Sequence, residues 1–228
     1  PKDLLQCVED PSLARTDILM KQADYVVATG GQAMVKAAYS SGTPAFGVGA
    51  GNSVSVVEDT ADLQETAHGI MLAETNDWGA GCSTENSVAI QDTVYDAMIE
   101  ALKKEGGYLC NADEKEKLIN AIWKNGKLNV DCIIHSPQHI AKMAGFAVPD
   151  DCTFIMAEEC NVGPEYLMTE EKLSPVVALW KFKTIDEAIQ LVNDIHSVSG
   201  AGHSCSIHST NEEHILKFAS KTHTSRVA

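Results

Sequence analysis

Cys82 stands in the run Trp78-Gly79-Ala80-Gly81-Cys82-Ser83-Thr84-Glu85-Asn86. Small residues between a helical pattern and a strand pattern form the kind of loop that presents a side chain to a cleft, so Cys82 is a candidate nucleophile. A free thiol ionises near 8.5, and lowering that value by ~1.5 units takes about 2 kcal/mol of differential stabilisation. Loop N–H groups can supply part of it. The competing reading is a buried, inert structural cysteine, and the loop alone does not choose between them. A second candidate is His203 in Gly200-Ala201-Gly202-His203-Ser204-Cys205-Ser206-Ile207-His208. At the mouth of a strand it is placed to act as a general base or proton shuttle. Residues 203 and 205 of a strand share a face and 208 points away, so no metal site is expected there.

Two glycine-containing stretches invite a ligand. Ala28-Thr29-Gly30-Gly31 lies where a strand passes into a helix. Gly30 and Gly31 permit close approach to the backbone, and the helix start offers unpaired N–H groups to a phosphate. A plain tight turn would also need these glycines. Gly47-Val48-Gly49-Ala50-Gly51-Asn52 follows a strand and allows another segment or a flat ligand ring to pack closely; a bulge or a domain crossover would read the same way. The spacing is not GxGxxG, so the ordinary dinucleotide fingerprint is absent. Glu171, opening EKLSP before a strand, is a candidate acceptor for ribose hydroxyls.

These residues must be held by regular elements, and the chain alternates short β-branched runs with helical patterns, the mark of an α/β fold. Strands are expected at 3–8, 23–28, 45–48, 53–57, 87–90, 153–157, 176–182, 204–208 and from Ser225. Helices are expected at 12–22 with Ser12 as N-cap, 32–39, 62–74, 94–104, 115–123, 137–146, 185–196 and 212–221. Ile185, Ala188, Ile189 and Val192 form a packing stripe at helical spacing. Trp123, Trp180 and Tyr95 read as packing residues. The glycine-rich stretch 47–52 is the one plausible seam.

Composition bounds the function classes. Of 228 residues, 44% are hydrophobic and 21% charged, too apolar for disorder, and no run of about 18 apolar residues suggests a membrane span. Seventeen basic against 32 acidic residues give a net charge of −15, which disfavours nucleic acid as a partner. Seven scattered cysteines without a CxxC pair suggest reduced thiols rather than a disulfide framework or zinc ribbon. No targeting leader is read at Pro1, and a cytoplasmic location is expected.

Taken in order, ATGGQAMVKAAYSSGTPAFGVGAGN (28–52), ADL (61–63), GCSTEN around Cys82, EKLSPVVAL (171–179) and GHSCSIH (202–208) resemble the aldehyde dehydrogenase superfamily. The nearer resemblance is to its coenzyme-A-acylating branch, including the aldehyde dehydrogenase half of bifunctional alcohol/aldehyde dehydrogenases. The resemblance implies a short aldehyde and coenzyme A as substrates and NAD or NADP as cofactor. Cys82 would be the nucleophile that carries a thioester. His203 would help deprotonate the incoming thiol. Gly31, Gly49 and Glu171 would contact the cofactor, with Thr29 and Gly30 in the same turn as Gly31. Hydrolytic relatives keep a glutamate base in the glycine-rich segment, whereas 45–57 here has no acidic residue.

The resemblance further implies an aldehyde-dehydrogenase-like α/β architecture. Residues 1–57 are expected as the end of a Rossmann-like cofactor domain and 58–228 as most of a three-layer α/β catalytic domain. On that basis the chain is expected to be a fragment, inactive alone and part of a homo-oligomer when full length. Two alternatives are an acyl-phosphate reductase of the glutamyl-phosphate-reductase type and a non-catalytic assembly module that retains the fold.

Overall fold

The computed structural model describes residues 4–228, which divide within the glycine-rich stretch into two compact units, one ending at Ala50 and one beginning at Gly51. In the first unit, helix α1 (Leu13–Gln22) is capped by Ser12, whose side chain accepts from the Arg15 N–H. Strand β1 (Val26–Thr29), helix α2 (Gln32–Ser40) and strand β2 (Ala45–Val48) follow as a βαβ unit with the strands parallel and Val26 opposite Ala45. Met20, Val26, Ala28 and Ala38 form its small core. The opposite sheet face is open, with Val27 72% and Phe46 64% exposed.

The second unit is built on a seven-stranded sheet. Its elements are β3 (Ser53–Val57), α3 (Leu63–Thr75), β4 (Glu85–Gln91), α4 (Tyr95–Lys104), β5 (Gly107–Leu109) and α5 (Ala112–Ile122). The short hairpin β6 (Trp123–Lys124) and β7 (Lys127–Leu128) comes next, then α6 (Pro137–Ala144), β8 (Phe154–Glu158), β9 (Val176–Phe182), α7 (Ile185–Val198), β10 (Gly202–His208), α8 (Glu212–Lys221) and β11 (Thr224–Val227). The strand order is β11-β10-β3-β4-β9-β8-β5, and every pairing is parallel.

Parallel strands need both faces covered, and side-chain alternation serves two cores. Val54, Val56, Ala89, Ile155, Ala178 and Trp180 face α5, α6, α7 and α8, while Val57, Val88, Ile90, Met156, Val177 and Leu179 face α3 and α4. The result is the three-layer α/β arrangement. Side chains just outside the helices fix where they start: Asp62 accepts from Gln64 and Glu65 N–H groups, and Asn111 with Glu114 forms a capping box on α5.

Local differences from the sequence expectations have identifiable causes. Over the described part of 3–8 no strand forms, and Asp3 lies outside the described residues. The strand expected from Ala23 begins at Val26 because the Ala23 N–H closes α1 on the Leu19 carbonyl. Trp123 leaves the helix to start a hairpin, where Asn125 and Gly126 at φ 53° and 70° make the left-handed pair that such turns demand. Strand β5 is only three residues at the sheet edge. Trp180, Trp123 and Tyr95, readable as core or surface packing, are all buried. Among the described residues no helix is long and apolar enough to cross a membrane.

The capping box yields a stability test. Asn111→Ala should lower the unfolding free energy in urea by about 1 kcal/mol with an unchanged denaturant slope; an unchanged midpoint would mean that the α5 start is held by packing alone.

Candidate active site

Because all seven strands run the same way, the loops that enter β10, β3, β4 and β9, four adjacent strands, meet at one edge of the sheet. Gly51–Asn52 lead into β3, the Cys82 loop into β4, residues 170–175 into β9 and residues 199–201 into β10. Buried polar side chains knit them together. Asn52 is fully buried; its Nδ2 donates to the Thr169 carbonyl at 2.7 Å and to the Ser199 carbonyl at 3.2 Å. Its own carbonyl lies 3.1 Å from His196 Nε2, a hydrogen bond when that nitrogen carries the proton.

Gly51 is where the lead-ins come closest. A Cβ placed there would overlap the Cys82 carbonyl oxygen and stand 2.9 Å from Glu171 Oε1, so only glycine fits. The Gly51 N–H acts on the Glu171 carboxyl by favouring its charged form. Cys82 is exposed and occupies a tight turn closed by the Thr84 N–H on the Gly81 carbonyl at 2.9 Å. Upstream, Asp77, Trp78 and Gly79 are all left-handed, at φ 49°, 52° and 71°. That path brings Gly79 so near the 174–175 peptide that a Cβ would sit 2.7 Å from the Ser174 carbonyl oxygen.

His203 is half-buried. Its N–H closes a turn on the Gly200 carbonyl at 3.0 Å, directly after the Ser199 carbonyl that Asn52 holds, and its Nδ1 is 2.8 Å from Ser204 Oγ. The loops of Cys82, Glu171 and His203 thus converge on Gly51–Asn52. Thr29, Gly30, Gly31 and Gly49 lie in the first unit. There the Gly30 N–H donates to the Val48 carbonyl at 3.0 Å, and Gly31 caps α2 with no side-chain hydrogen bond. Space is open where a Cβ on Gly31 or Gly49 would point.

Two residues of this edge, Lys172 inside the quoted run 171–179 and Glu74 outside every quoted motif, carry no signal of their own in the sequence. Lys172 is fully buried; its Nζ donates to the Asn86 and Glu170 carbonyls at 2.9 and 3.0 Å, and its N–H to Asn86 Oδ1 at 2.8 Å. Glu74 is also fully buried, and neither of its carboxyl oxygens has a hydrogen-bond partner. Burial, and then the nearby Glu85, raise the Glu74 pKa against the pull of Lys172. Burial lowers Lys172 to about 7 and raises Glu171 to about 7, the Gly51 N–H and Lys172 opposing the latter shift. Among the described residues no group of three or more His, Cys, Asp and Glu side chains is arranged to hold a metal ion.

The sequence model of the Aldehyde dehydrogenase family matches residues 1–117 and 163–228. A sulfoacetaldehyde dehydrogenase (acylating) of Bilophila wadsworthia is 39% identical, covering 100% of this chain and 50% of its own length. An acetylating aldehyde dehydrogenase structure from Geobacillus thermoglucosidasius superposes with a TM-score of 0.96 at 37% identity, over 100% of this chain and 51% of that one. A Rhodopseudomonas palustris propionaldehyde dehydrogenase with bound CoA and an acylated cysteine gives a TM-score of 0.86 at 28% identity, over 96% and 50% of the two chains. The chain spans about half the length of the curated relatives it matches first.

The half-buried carboxyl of Glu171 makes a signed prediction. Its value of about 7 in the fold exceeds the ordinary 4.5, so the folded chain holds this proton more tightly than the unfolded chain. Its contribution to stability is present below the ordinary value and is lost as pH rises through about 7. Glu171→Gln should therefore gain stability relative to wild type between pH 5 and pH 8 in urea titrations, and a pH-independent difference would contradict the assignment.

Proposed function

The chain belongs to the aldehyde dehydrogenase family, and from that premise we propose that it is part of a coenzyme-A-acylating aldehyde dehydrogenase. In this reading the full-length enzyme oxidises a short aldehyde to acyl-CoA with NAD or NADP, and the second unit carries the chemistry. The observation that carries the proposal is the convergence of an exposed cysteine, a half-buried carboxyl and a histidine turn on Gly51–Asn52.

A nicotinamide dinucleotide fits the residues present. The α2 start at Gly31 has no side-chain cap, which leaves first-turn N–H groups for a phosphate; Gly31 and Gly49 keep their backbone open. Glu171 would accept hydrogen bonds from a ribose hydroxyl of such a cofactor. When bound, the nicotinamide supplies the hydride acceptor that takes an aldehyde adduct to the acyl level.

The chain's own residues do the rest. Cys82 Sγ forms a C–S bond to the aldehyde carbonyl carbon and then holds the acyl group as a thioester. His203 accepts the proton of the coenzyme A thiol, whose sulfur attacks the thioester carbonyl; the bond to Cys82 breaks and the cysteine leaves as thiolate. Water is a poor competitor because no acidic side chain in 45–57 stands by to deprotonate it.

The test follows NADH absorbance in the full-length protein with acetaldehyde and with sulfoacetaldehyde, with and without coenzyme A. Turnover should require coenzyme A, vanish in Cys82→Ala, and fall about 100-fold or more in His203→Ala. Coenzyme-A-independent turnover would mean that water reaches the thioester. Phosphate-dependent turnover in its place would favour an acyl-phosphate reductase, and turnover in Cys82→Ala would remove the cysteine from the mechanism.

A further inference from the structure

Strand β4 pairs with β3 out of step at its start: Ser53 lies opposite Glu85, but Val54 lies opposite Ser87. The ladder therefore steps over Asn86, a β-bulge, and its pairing with β9 begins only at Ser87. A bulged residue is left without its ladder partners and often serves to re-aim a side chain next to an active site. Asn86 is nevertheless buried, so both its backbone carbonyl and its carboxamide need partners.

One residue supplies both. The Lys172 ammonium donates to the Asn86 carbonyl at 2.9 Å, and the Lys172 N–H donates to Asn86 Oδ1 at 2.8 Å. Asn86 Nδ2 in turn donates to the Thr84 carbonyl at 3.3 Å, inside the Cys82 turn. The ammonium also holds the Glu170 carbonyl at 3.0 Å, so the peptide on which Glu171 hangs is tied from the same group. On the far flank of the cysteine, Gly79 packs against the Ser174 peptide. The Cys82 loop is thus pinned on both sides to the 170–175 segment.

That segment is itself strained. Leu173 is left-handed at φ 48°, a conformation that costs an ordinary residue about 1–2 kcal/mol and persists only where the surroundings impose it. A leucine or methionine would fill the volume of Lys172 without bringing a charge into the interior. The lysine has a cluster to suit it: Glu74, fully buried with neither carboxyl oxygen hydrogen-bonded, acts on Lys172 electrostatically, as do Glu171 and Glu170. The buried ammonium is thereby placed where the bulge needs a donor.

We propose that Lys172 is a positioning residue that clamps the bulged Asn86 to the segment bearing Glu171 and so fixes the Cys82 sulfur relative to the Glu171 carboxyl. The proposal rests on the acylating-dehydrogenase reading for the meaning of those two groups, since hydride removal requires the aldehyde carbon on Cys82 and the ring whose ribose Glu171 holds to keep a fixed separation. The clamp itself is a property of the fold and does not depend on that reading.

The experiment compares wild type, Lys172→Met, Asn86→Ala and the double variant of the full-length protein. Lys172→Met should lower kcat about 10- to 100-fold, the scale of a misplacement of about 1 Å, while the aldehyde KM stays within about threefold. Its thermal midpoint should fall as well, because removing Lys172 alone leaves the buried Asn86 carbonyl without its donor and Glu74 without its neighbouring positive charge. A merely structural lysine would lower the midpoint but leave kcat, measured well below that midpoint, and the Cys82 reactivity of the folded protein unchanged. Lys172→Met removes the ammonium's bonds and Asn86→Ala the carboxamide's; both hold the same loop, so the double variant should lose less activity than the product of the two single losses.

A second readout is independent of turnover. The rate of iodoacetamide alkylation at Cys82, measured by peptide mass against exposed Cys160 as internal reference, should change at least about fivefold in either single variant. Wild-type kcat in both single variants, multiplying losses in the double variant, or an unchanged Cys82-to-Cys160 ratio would each overturn the clamp. Wild type lacking coenzyme-A-dependent turnover would overturn the functional reading alone, leaving the alkylation ratio to decide the clamp. If Lys172→Met does not fold, Asn86→Ala removes the other half of the connection, the carboxamide's bonds to the Lys172 N–H and the Thr84 carbonyl, and decides the same questions.

Discussion

No side chain can exist at Gly51. The Cys82 carbonyl oxygen occupies the place where its Cβ would be, with a Glu171 carboxyl oxygen 2.9 Å from that point, and the rest of the candidate site is arranged around that contact. The next residue, Asn52, is fully buried and binds the Thr169 and Ser199 carbonyls with one carboxamide nitrogen. Between them, these two residues gather the loops entering four neighbouring strands. Loop peptides ordinarily face solvent because their polar groups need partners; here side-chain amides supply the partners, and the loops can be drawn in over the end of the sheet.

The parallel sheet makes this gathering possible. With every strand in one direction, all entering loops lie at one edge, and covering helices on both faces leave that edge as the place where they can meet. The costs collect there too. Asp77, Trp78 and Leu173 hold left-handed backbone, and Glu74, Glu85 and Lys172 carry pKa values displaced mainly by burial. Strain and buried charge at one edge of an otherwise regular sheet are the expected mark of a functional region. They support the proposed chemistry independently of the names of related proteins.

Much of the scaffold was legible in the chain. Val176–Phe182 and Glu212–Lys221 form the elements their patterns predict, residue for residue, because each has an unambiguous period and a clear stop. The Cys82 loop and the His203 strand mouth were legible from small residues flanking reactive ones. Strand β5 was not, since three residues at an edge are specified by their partner β8 rather than by any pattern of their own. The Asn125-Gly126 hairpin carried a readable turn signal that the helical run before it obscured. The clamp on Asn86 was illegible for a deeper reason: Lys172 and Asn86 are 86 residues apart, and neither the bulge nor the burial of the ammonium exists until the sheet has formed.

The proposed chemistry requires that the acyl group rest on Cys82 long enough for a thiol to reach it. The direct measurement is to give the full-length protein NAD and aldehyde without coenzyme A, quench with acid, and weigh the peptide containing Cys82. The proposal predicts a peptide heavier by one acyl group that decays slowly in buffer and clears at once when coenzyme A is added. An unmodified Cys82 peptide, or an acyl group lost to water as fast as to coenzyme A, would contradict it.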